Sequence, residues 1–213
     1  MNDSIIKLEH YTKIIKENTI LNDITLELKS GKIYAFVGHN GSGKSMLFKA
    51  ICGFIKPTSG KVKVRNKVIS KDICFPEKIG ILIETVGLLP NLTAFENLKI
   101  LASIQNEITD NDIKDTLSMV GLDPENKKPI KKYSLGMKQK VGIAQAIMEK
   151  PEIIILDEPM NGLDLESVNN IRNIILDLKA KGNTILLASH NESDIDILAD
   201  EIFQLNNGVL RRK

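Results

Sequence analysis

A glycine-rich segment near residue 40 carries residue types that can bind a polyphosphate. Residues 38–45 read Gly-His-Asn-Gly-Ser-Gly-Lys-Ser and fit the pattern G-x-x-x-x-G-K-[ST] at every fixed position. Glycines let backbone N–H groups point inward at an anion, and a helix that starts there adds its partial positive charge. In this pattern Lys44 reaches the β- and γ-phosphates and the Ser45 hydroxyl ligates Mg²⁺. The alternative is an ordinary glycine-rich turn that happens to end in Lys-Ser.

Two acidic residues follow an apolar run further along the chain. Residues 153–156 are continuously apolar, which is typical of a strand buried in a parallel sheet, and Asp157 and Glu158 come directly after them. Carboxylates at the carboxyl edge of such a sheet face the phosphate loop. Asp157 could then hold Mg²⁺ directly or through water, and Glu158 could orient and deprotonate an attacking water. The alternative, two acids that cap a strand at the surface, is weakened by the phosphate loop.

A third candidate site is the segment Ser-Leu-Gly-Met at residues 134–137, which precedes a run of apolar residues at helical spacing. The simpler interpretation is that Ser134 is a helix N-cap. A hydroxyl and free N–H groups at a helix start also form an anion site. One phosphate loop and one separate anion site would suit two copies of the chain that share nucleotide between them.

His190 follows another apolar run, at residues 184–188. A lone histidine at the end of a strand is more often structural than chemical. Beside the phosphate loop and the carboxylates, His190 could instead donate a hydrogen bond to a γ-phosphate.

Composition limits the class of protein that holds these residues. The chain has 213 residues, 42% hydrophobic and 26% charged, which suits one globular domain or a domain with a small lobe. A net charge of +2, dispersed basic residues and 4% aromatics argue against nucleic acid as a partner. Cys52 and Cys74 form no C-x-x-C pair, so we expect free thiols in a reducing cytosol. No signal peptide is recognised and no apolar run approaches the ~20 residues of a membrane span, so a membrane process would need another chain.

The remaining patterns predict how these residues are positioned. An apolar strand at 32–37 precedes the glycine loop, and Leu47, Phe48 and Ile51 follow it at helical spacing, with a helix stop at Gly53. Alternating patterns predict antiparallel strands within residues 1–30 and 60–68, a buried strand at 79–83, and a strand pair after residue 200. Helices are predicted from the Thr93 capping box, at 109–120, after 134 and at 166–180, with a loop at 123–129. The predicted fold is α/β, with a mostly parallel sheet and an inserted helical lobe.

Together the motifs resemble those of the ATP-binding subunit of ABC transporters, in family order and over essentially the whole chain. They match the Walker A motif, the signature motif, the Walker B motif with its catalytic glutamate, the D-loop and the switch histidine, at Gly38–Ser45, 133–140, 153–158, 161–164 and His190 respectively. The resemblance implies one ABC ATPase domain over 1–213. A P-loop NTPase core with an N-terminal antiparallel β subdomain would comprise 1–87 and 151–213. A helical subdomain with the signature motif would comprise 88–150.

The resemblance also assigns roles. ATP and Mg²⁺ are the expected cofactors, and Glu158 and His190 the catalytic residues. The expected metal ligands are Ser45, Asp157 and Glu84. The residues expected to bind nucleotide are Gly38, His39, Asn40, Gly41, Ser42, Gly43, Lys44, Ser45, Met46, Ser134, Gly136, Met137 and Asp164.

The expected partners follow from the same family. ATP would lie between the Walker A motif of one copy and the signature helix of a second, in a homodimer or a heterodimer with a second ATPase subunit. An integral membrane permease would dock near residues 84–92, so the chain would be cytoplasmic and peripheral on the inner face of the cell membrane. The rival interpretations are a non-transport ABC ATPase acting on nucleic acid or ribosomes, and a regulatory nucleotide-binding protein without turnover.

Several positions depart from the common family pattern. Leu135 replaces a glycine and Met137 a glutamine of the signature, and Glu84 replaces the usual glutamine on the loop that enters the helical lobe. Met46 stands where a second Ser or Thr is common. Glu84 with a Ser-Leu-Gly-Met signature resembles the subunits of exporters for bacitracin-type and lantibiotic peptides, including self-immunity systems.

The aromatic residue that stacks on adenine in the family aligns with Ile15. Tyr11 is near in sequence but out of register. The sequence therefore leaves the adenine contact open.

Overall fold

The computed structural model describes residues 4–84 and 87–213. These ranges contain ten strands and six α-helices. In chain order they are β1 (Ser4–Ile15), β2 (Asn18–Lys29), β3 (Ile33–Val37), α1 (Lys44–Ile51), β4 (Ser59–Val64), β5 (Lys67–Val68), β6 (Ile79–Leu82), α2 (Ala94–Gln105), α3 (Asp110–Met119), α4 (Leu135–Ile147), β7 (Ile153–Asp157), α5 (Leu165–Ala180), β8 (Thr184–Ala188), α6 (Glu192–Leu198), β9 (Glu201–Asn206) and β10 (Val209–Arg212).

A six-stranded sheet in the order β10-β9-β3-β8-β7-β6 forms the centre of the molecule. All neighbouring pairs are parallel except β9 with β10. Strands β7 and β8 are buried along their whole length, as a parallel sheet covered on both faces requires. Because parallel strands end at the same edge, Val37, Asp157 and Ala188 lie together where the phosphate loop begins. The predicted α/β class with a mostly parallel sheet is confirmed.

A second, antiparallel sheet in the order β2-β1-β4-β5 packs over α1 and one face of the parallel sheet. Strands β1 and β2 are joined by Lys16 and Glu17, both at positive φ (45° and 71°), the backbone that a two-residue hairpin turn needs. The antiparallel strands predicted within residues 1–30 and 60–68 are confirmed. The hairpin brings the start of β2 beside the phosphate loop.

Helices α2, α3 and α4 lie in sequence between β6 and β7. Their apolar faces share one core with the other face of the parallel sheet, so that Leu98, Leu117 and Ile143 belong to the same cluster as Ile154 and Leu187. The position of α4 is therefore tied to the strands that hold the acidic residues. The assignment of residues 88–150 as a subdomain of its own stays a prediction.

Helix starts follow the predicted capping chemistry. Thr93 and Glu96 form both hydrogen bonds of the predicted capping box at α2. Helix α6 was not predicted from the sequence. It has seven residues, of which Ile195 and Leu198 are its buried apolar positions, and two such positions are too few to give a helical period.

None of the helices in the two described ranges combines the length and the apolar character that a membrane span needs.

Candidate nucleotide-binding site

The phosphate loop connects β3 to α1 through a left-handed glycine. Gly43 caps α1 with φ 109°, a backbone conformation that L side chains rarely adopt, and an added Cβ would lie 3.1 Å from the carbonyl oxygen of Ile20. The first N–H groups of α1 have no partner within the helix, and the helix dipole adds positive charge there. The predicted strand, turn and helix are confirmed, and their geometry is suited to bind an anion.

Beside this loop lies a cleft of about 590 Å³. It gathers side chains from the phosphate loop, the ends of β6 and β7, helix α4 and the segment after β8. The lining residues are Ile20, Asn40, Gly41, Gly43, Lys44, Ser45, Met46, Glu84, Gln139, Asp157, Glu158, Asn161 and His190.

Lys44 supplies the positive charge of the cleft. Its side chain is nearly buried, and Nζ donates hydrogen bonds to the carbonyl oxygens of Gly38, at 2.7 Å, and His39, at 3.4 Å. Both hydrogen-bond partners are neutral carbonyls, so a phosphate would not have to displace an anion from Nζ. A charge-assisted bond to phosphate is stronger than a bond to a carbonyl, so phosphate would compete well for Nζ.

Ser45 and Asp157 bring two oxygen ligands together. Ser45 Oγ donates a 2.6 Å hydrogen bond to Oδ2 of Asp157. Burial raises the pKa of Asp157, and the Ser45 hydrogen bond and the charge of Lys44 oppose that rise. Residues 4–84 and 87–213 contain no group of three or more His, Cys, Asp or Glu side chains able to hold a metal. Two oxygen ligands nevertheless suit Mg²⁺, which keeps several waters and shares its coordination with substrate phosphates.

Glu158 has the geometry of a proton acceptor held at the sheet edge. Its N–H donates a 2.9 Å hydrogen bond to the carbonyl of Ala188. Its Oε1 lies 3.0 Å from Nε2 of His190, within ion-pair distance when the imidazole is protonated. Burial raises the pKa of Glu158, and the nearby His190 and Lys44 act in the opposite direction. A raised pKa makes the carboxylate a better proton acceptor.

Glu84, predicted as a metal ligand, lines the same cleft. Its side chain is 57% exposed, and its Oε1 lies 2.7 Å from Nζ of Lys49 on α1. The sequence interpretation did not include this ion pair. Its role toward a metal stays a prediction.

Other predicted nucleotide-binding residues lie outside this cleft. His39 Nδ1 lies 2.8 Å from the carbonyl oxygen of Asn40, and the His39 side chain lines a different cavity. Ser134 Oγ accepts a 3.2 Å hydrogen bond from the N–H of Met137, so the predicted N-cap of α4 is confirmed. Asp164 similarly caps α5.

The start of α4 packs closely on the segment that follows Glu158. A Cβ on Gly136 would lie 2.6 Å from the carbonyl oxygen of Gly162, so this approach requires glycine. Leu135 and Leu165, at the first positions of α4 and α5, leave 69% and 75% of their surface exposed. The predicted anion site at α4 therefore lies on a face with uncovered apolar side chains.

The structure shows which of the side chains considered for the adenine contact line the cleft. Tyr11 is fully buried, donates a hydrogen bond to the carbonyl of Ile55, and has its pKa raised to about 12 by burial. Ile20, not Ile15, lines the cleft. The sequence analysis missed Ile20, and it placed Gln139 and Asn161 in the signature and D-loop segments without assigning them to this cleft. Their positions in the cleft depend on hairpin pairing and helix packing.

Comparison with known proteins identifies the class. The family described as ABC transporter matches residues 21–161. Over 206 residues the chain is 45% identical to the uncharacterized ABC transporter ATP-binding protein YybJ of Bacillus subtilis strain 168, covering 97% of this chain and 94% of that protein. It is 40% identical to the bacitracin transport ATP-binding protein BcrA of Enterococcus faecalis, covering 97% of this chain and 68% of the relative. The lantibiotic transport ATP-binding protein SrtF of Streptococcus pyogenes is 38% identical, with 97% and 89% covered.

Solved structures agree with the sequence comparison. The ATP-binding cassette MJ0796, in a dimeric post-hydrolysis state bound to ADP and Pi, superposes with a TM-score of 0.88 at 25% identity and 98% coverage of both chains. The fold and the cleft thus define a nucleotide-binding ATPase of the P-loop class. The chain belongs to the ABC transporter family and is an ATP-binding and ATP-hydrolysing subunit of that family.

Proposed function

We propose that this chain powers the export of a peptide antibiotic or a similar compound through a separate membrane permease. The observation that supports the ATP-driven part of the proposal is the convergence in one cleft of Lys44, Ser45, Asp157, Glu158 and His190. The kind of substrate is supported by BcrA and SrtF, which are named for bacitracin and lantibiotic transport. Action on ribosomes or nucleic acid is not favoured, because these relatives are named for transport.

In this proposal each residue of the cleft has a separate role in ATP hydrolysis. Lys44 binds the β- and γ-phosphates, and Glu158 accepts the proton of the attacking water as the water oxygen bonds to the γ-phosphorus. His190, 3.0 Å from Glu158, donates a hydrogen bond to the γ-phosphate. Ser45 and Asp157, with Glu84, would hold Mg²⁺, and the ion would supply positive charge that offsets the charge of the phosphates. The leaving group is ADP.

Two copies complete each site in this proposal. The Ser134 hydroxyl and the N–H of Gly136 bind the γ-phosphate held by the partner. The exposed Leu135 and Leu165 lie at the starts of α4 and α5 and would be covered in such a dimer. MJ0796 is dimeric in the structure cited above, which supports this arrangement. A homodimer and a heterodimer with a second ATPase subunit both satisfy it.

The permease is proposed to dock in the groove between the core and the helices, near residues 84–92. Two of these residues, 85 and 86, lie outside the described residues. A chain that docks on a permease and uses ATP would lie on the cytoplasmic face of the cell membrane. Closure of the dimer on ATP would then be transmitted to the permease.

Export can be tested in the strain that encodes the chain. Deletion of its gene should increase sensitivity to bacitracin or to a lantibiotic, and a wild-type copy should restore resistance. A copy carrying Glu158→Gln should be expressed equally and fail to restore it. Unchanged sensitivity to both kinds of compound after deletion would contradict the proposed substrate class.

The proposed metal role of Glu84 predicts a change in Mg²⁺ dependence. Glu84→Gln should raise the Mg²⁺ concentration for half-maximal ATPase activity by roughly tenfold, because a neutral amide is a poorer ligand for a hard cation. Activity at saturating Mg²⁺ should stay near that of wild type. A Mg²⁺ titration of phosphate release measures both quantities.

Lys49→Met is the matched comparison, since it removes the ion-pair partner and leaves the Glu84 carboxylate in place. It should lower the Mg²⁺ requirement or leave it unchanged. If the titrations of wild type and Glu84→Gln superimpose, Glu84 is an exposed acid paired with Lys49 and nothing more.

A further inference from the structure

Gln139 makes a contact between α4, the helix that begins within the signature motif and is here called the signature helix, and the proposed catalytic base. It lies on α4, and its Nε2 donates a 3.0 Å hydrogen bond to the backbone carbonyl of Glu158. The side chain also lines the nucleotide cleft. Because it touches the backbone of the base and not a reacting atom, any role in the reaction is one of positioning.

The backbone of Glu158 is in a conformation that needs support. Its φ is 51°, in the left-handed region that residues other than glycine rarely adopt. Its N–H is bonded to the carbonyl of Ala188 in β8, and its carbonyl accepts from the N–H of Asn161, at 3.2 Å, as well as from Gln139. The bond to Ala188 belongs to the sheet, and the bond from Asn161 belongs to the turn that follows Glu158. The bond from Gln139 comes from α4 and would change if α4 moved.

Helix α4 connects this contact to the proposed partner site. Its first turn carries Ser134 and Gly136, and Gln139 lies little more than one turn further along. Backbone hydrogen bonds connect the successive turns of α4, so a displacement of its first turn would be transmitted to Gln139. Since Gly136 already packs on Gly162, a shift of the first turn would change the position of Gln139 against Glu158 as well.

We propose that Gln139 is a positioning residue that couples the signature helix to the catalytic base of the same chain. Binding of the partner's nucleotide at the start of α4 fixes Gln139, which holds the Glu158 backbone so that its carboxylate points at the attacking water. Each copy would then hydrolyse ATP efficiently only when its own signature helix is engaged, so the two sites of the dimer would be coupled. This inference rests on the proposed two-site dimer.

The test is Gln139→Met, which keeps the approximate shape and removes the donor. Loss of one neutral hydrogen bond predicts a fall in kcat of roughly threefold to tenfold, and the Hill coefficient for ATP should fall toward one. KM and the affinity for a non-hydrolysable ATP analogue should stay unchanged. Gln139→Lys, which keeps a donor, should recover much of kcat. Gln139→Glu should be at least as slow as Gln139→Met, because it places a carboxylate oxygen against a carbonyl oxygen.

Gln145→Met is the matched control, because it makes the same substitution on the same helix at a side chain that lines a separate groove. It should leave kcat and the Hill coefficient unchanged. The inference is overturned if Gln139→Met retains wild-type kcat and cooperativity. It is also overturned if the loss of kcat in all three Gln139 variants parallels a fall in Tm, because that result would indicate a structural role. A wild-type chain that hydrolyses no ATP would instead overturn the proposed function, and the inference with it.

Discussion

Glu158→Gln is expected to lower kcat for ATP hydrolysis by roughly 100-fold to 10,000-fold, the range typical for loss of a positioned general base. The amide keeps the size of the side chain but cannot accept the proton of the attacking water. ATP should still bind, since Lys44 and the phosphate loop are unchanged. Phosphate release under saturating Mg-ATP measures the effect.

The same variant should accumulate as an ATP-bound dimer, because the dimer still closes on ATP while the hydrolysis that reopens it is strongly slowed. Light scattering with Mg-ATP should report about twice the monomer mass, and added EDTA should reverse it. Glu107→Gln is a suitable control, since Glu107 is an exposed loop residue between α2 and α3. Normal turnover in Glu158→Gln would exclude Glu158 as the base. A persistent monomer with ATP bound would argue against the two-copy site for the isolated chain.

Lys44→Ala is expected to weaken ATP binding at least about tenfold, since charge-assisted hydrogen bonds are worth roughly 1.5–3 kcal/mol each. In the structure Nζ is held by neutral carbonyls next to Ser45, where the terminal phosphates would lie. Its removal takes away the charge without filling the cleft. Calorimetry with a non-hydrolysable ATP analogue gives the affinity directly.

Lys71→Ala removes an exposed lysine from the turn after β5, well outside the cleft, and is the control for a change in net charge. It should bind the analogue like wild type. Equal affinities for Lys44→Ala and wild type would mean that the phosphate loop is not the nucleotide site.

The sequence by itself determined the parts of this protein whose geometry is local. The phosphate loop could be predicted because strand, glycine turn and helix are contiguous, and Gly43 is required by one backbone torsion. The same holds for the Thr93 capping box and for residues 153–158, in which an apolar run is followed directly by two acids. Parallel strands end at one edge of the sheet, so the sequence pattern also predicted that Asp157 lies beside the phosphate loop.

Contacts between residues far apart in the chain were decided only by tertiary structure. Tyr11 looks available in the sequence, but it is fully buried in the core cluster that also contains residues of α1. Ile20 lines the cleft instead. The ion pair of Lys49 with Glu84 joins two elements whose distance no local pattern specifies. In the sequence, Gln139 is one polar position on an amphipathic helix. Only the packing of α4 places its side chain against the backbone of Glu158. The physical reason is that propensity and spacing act along the chain, whereas these contacts depend on how complete elements pack together.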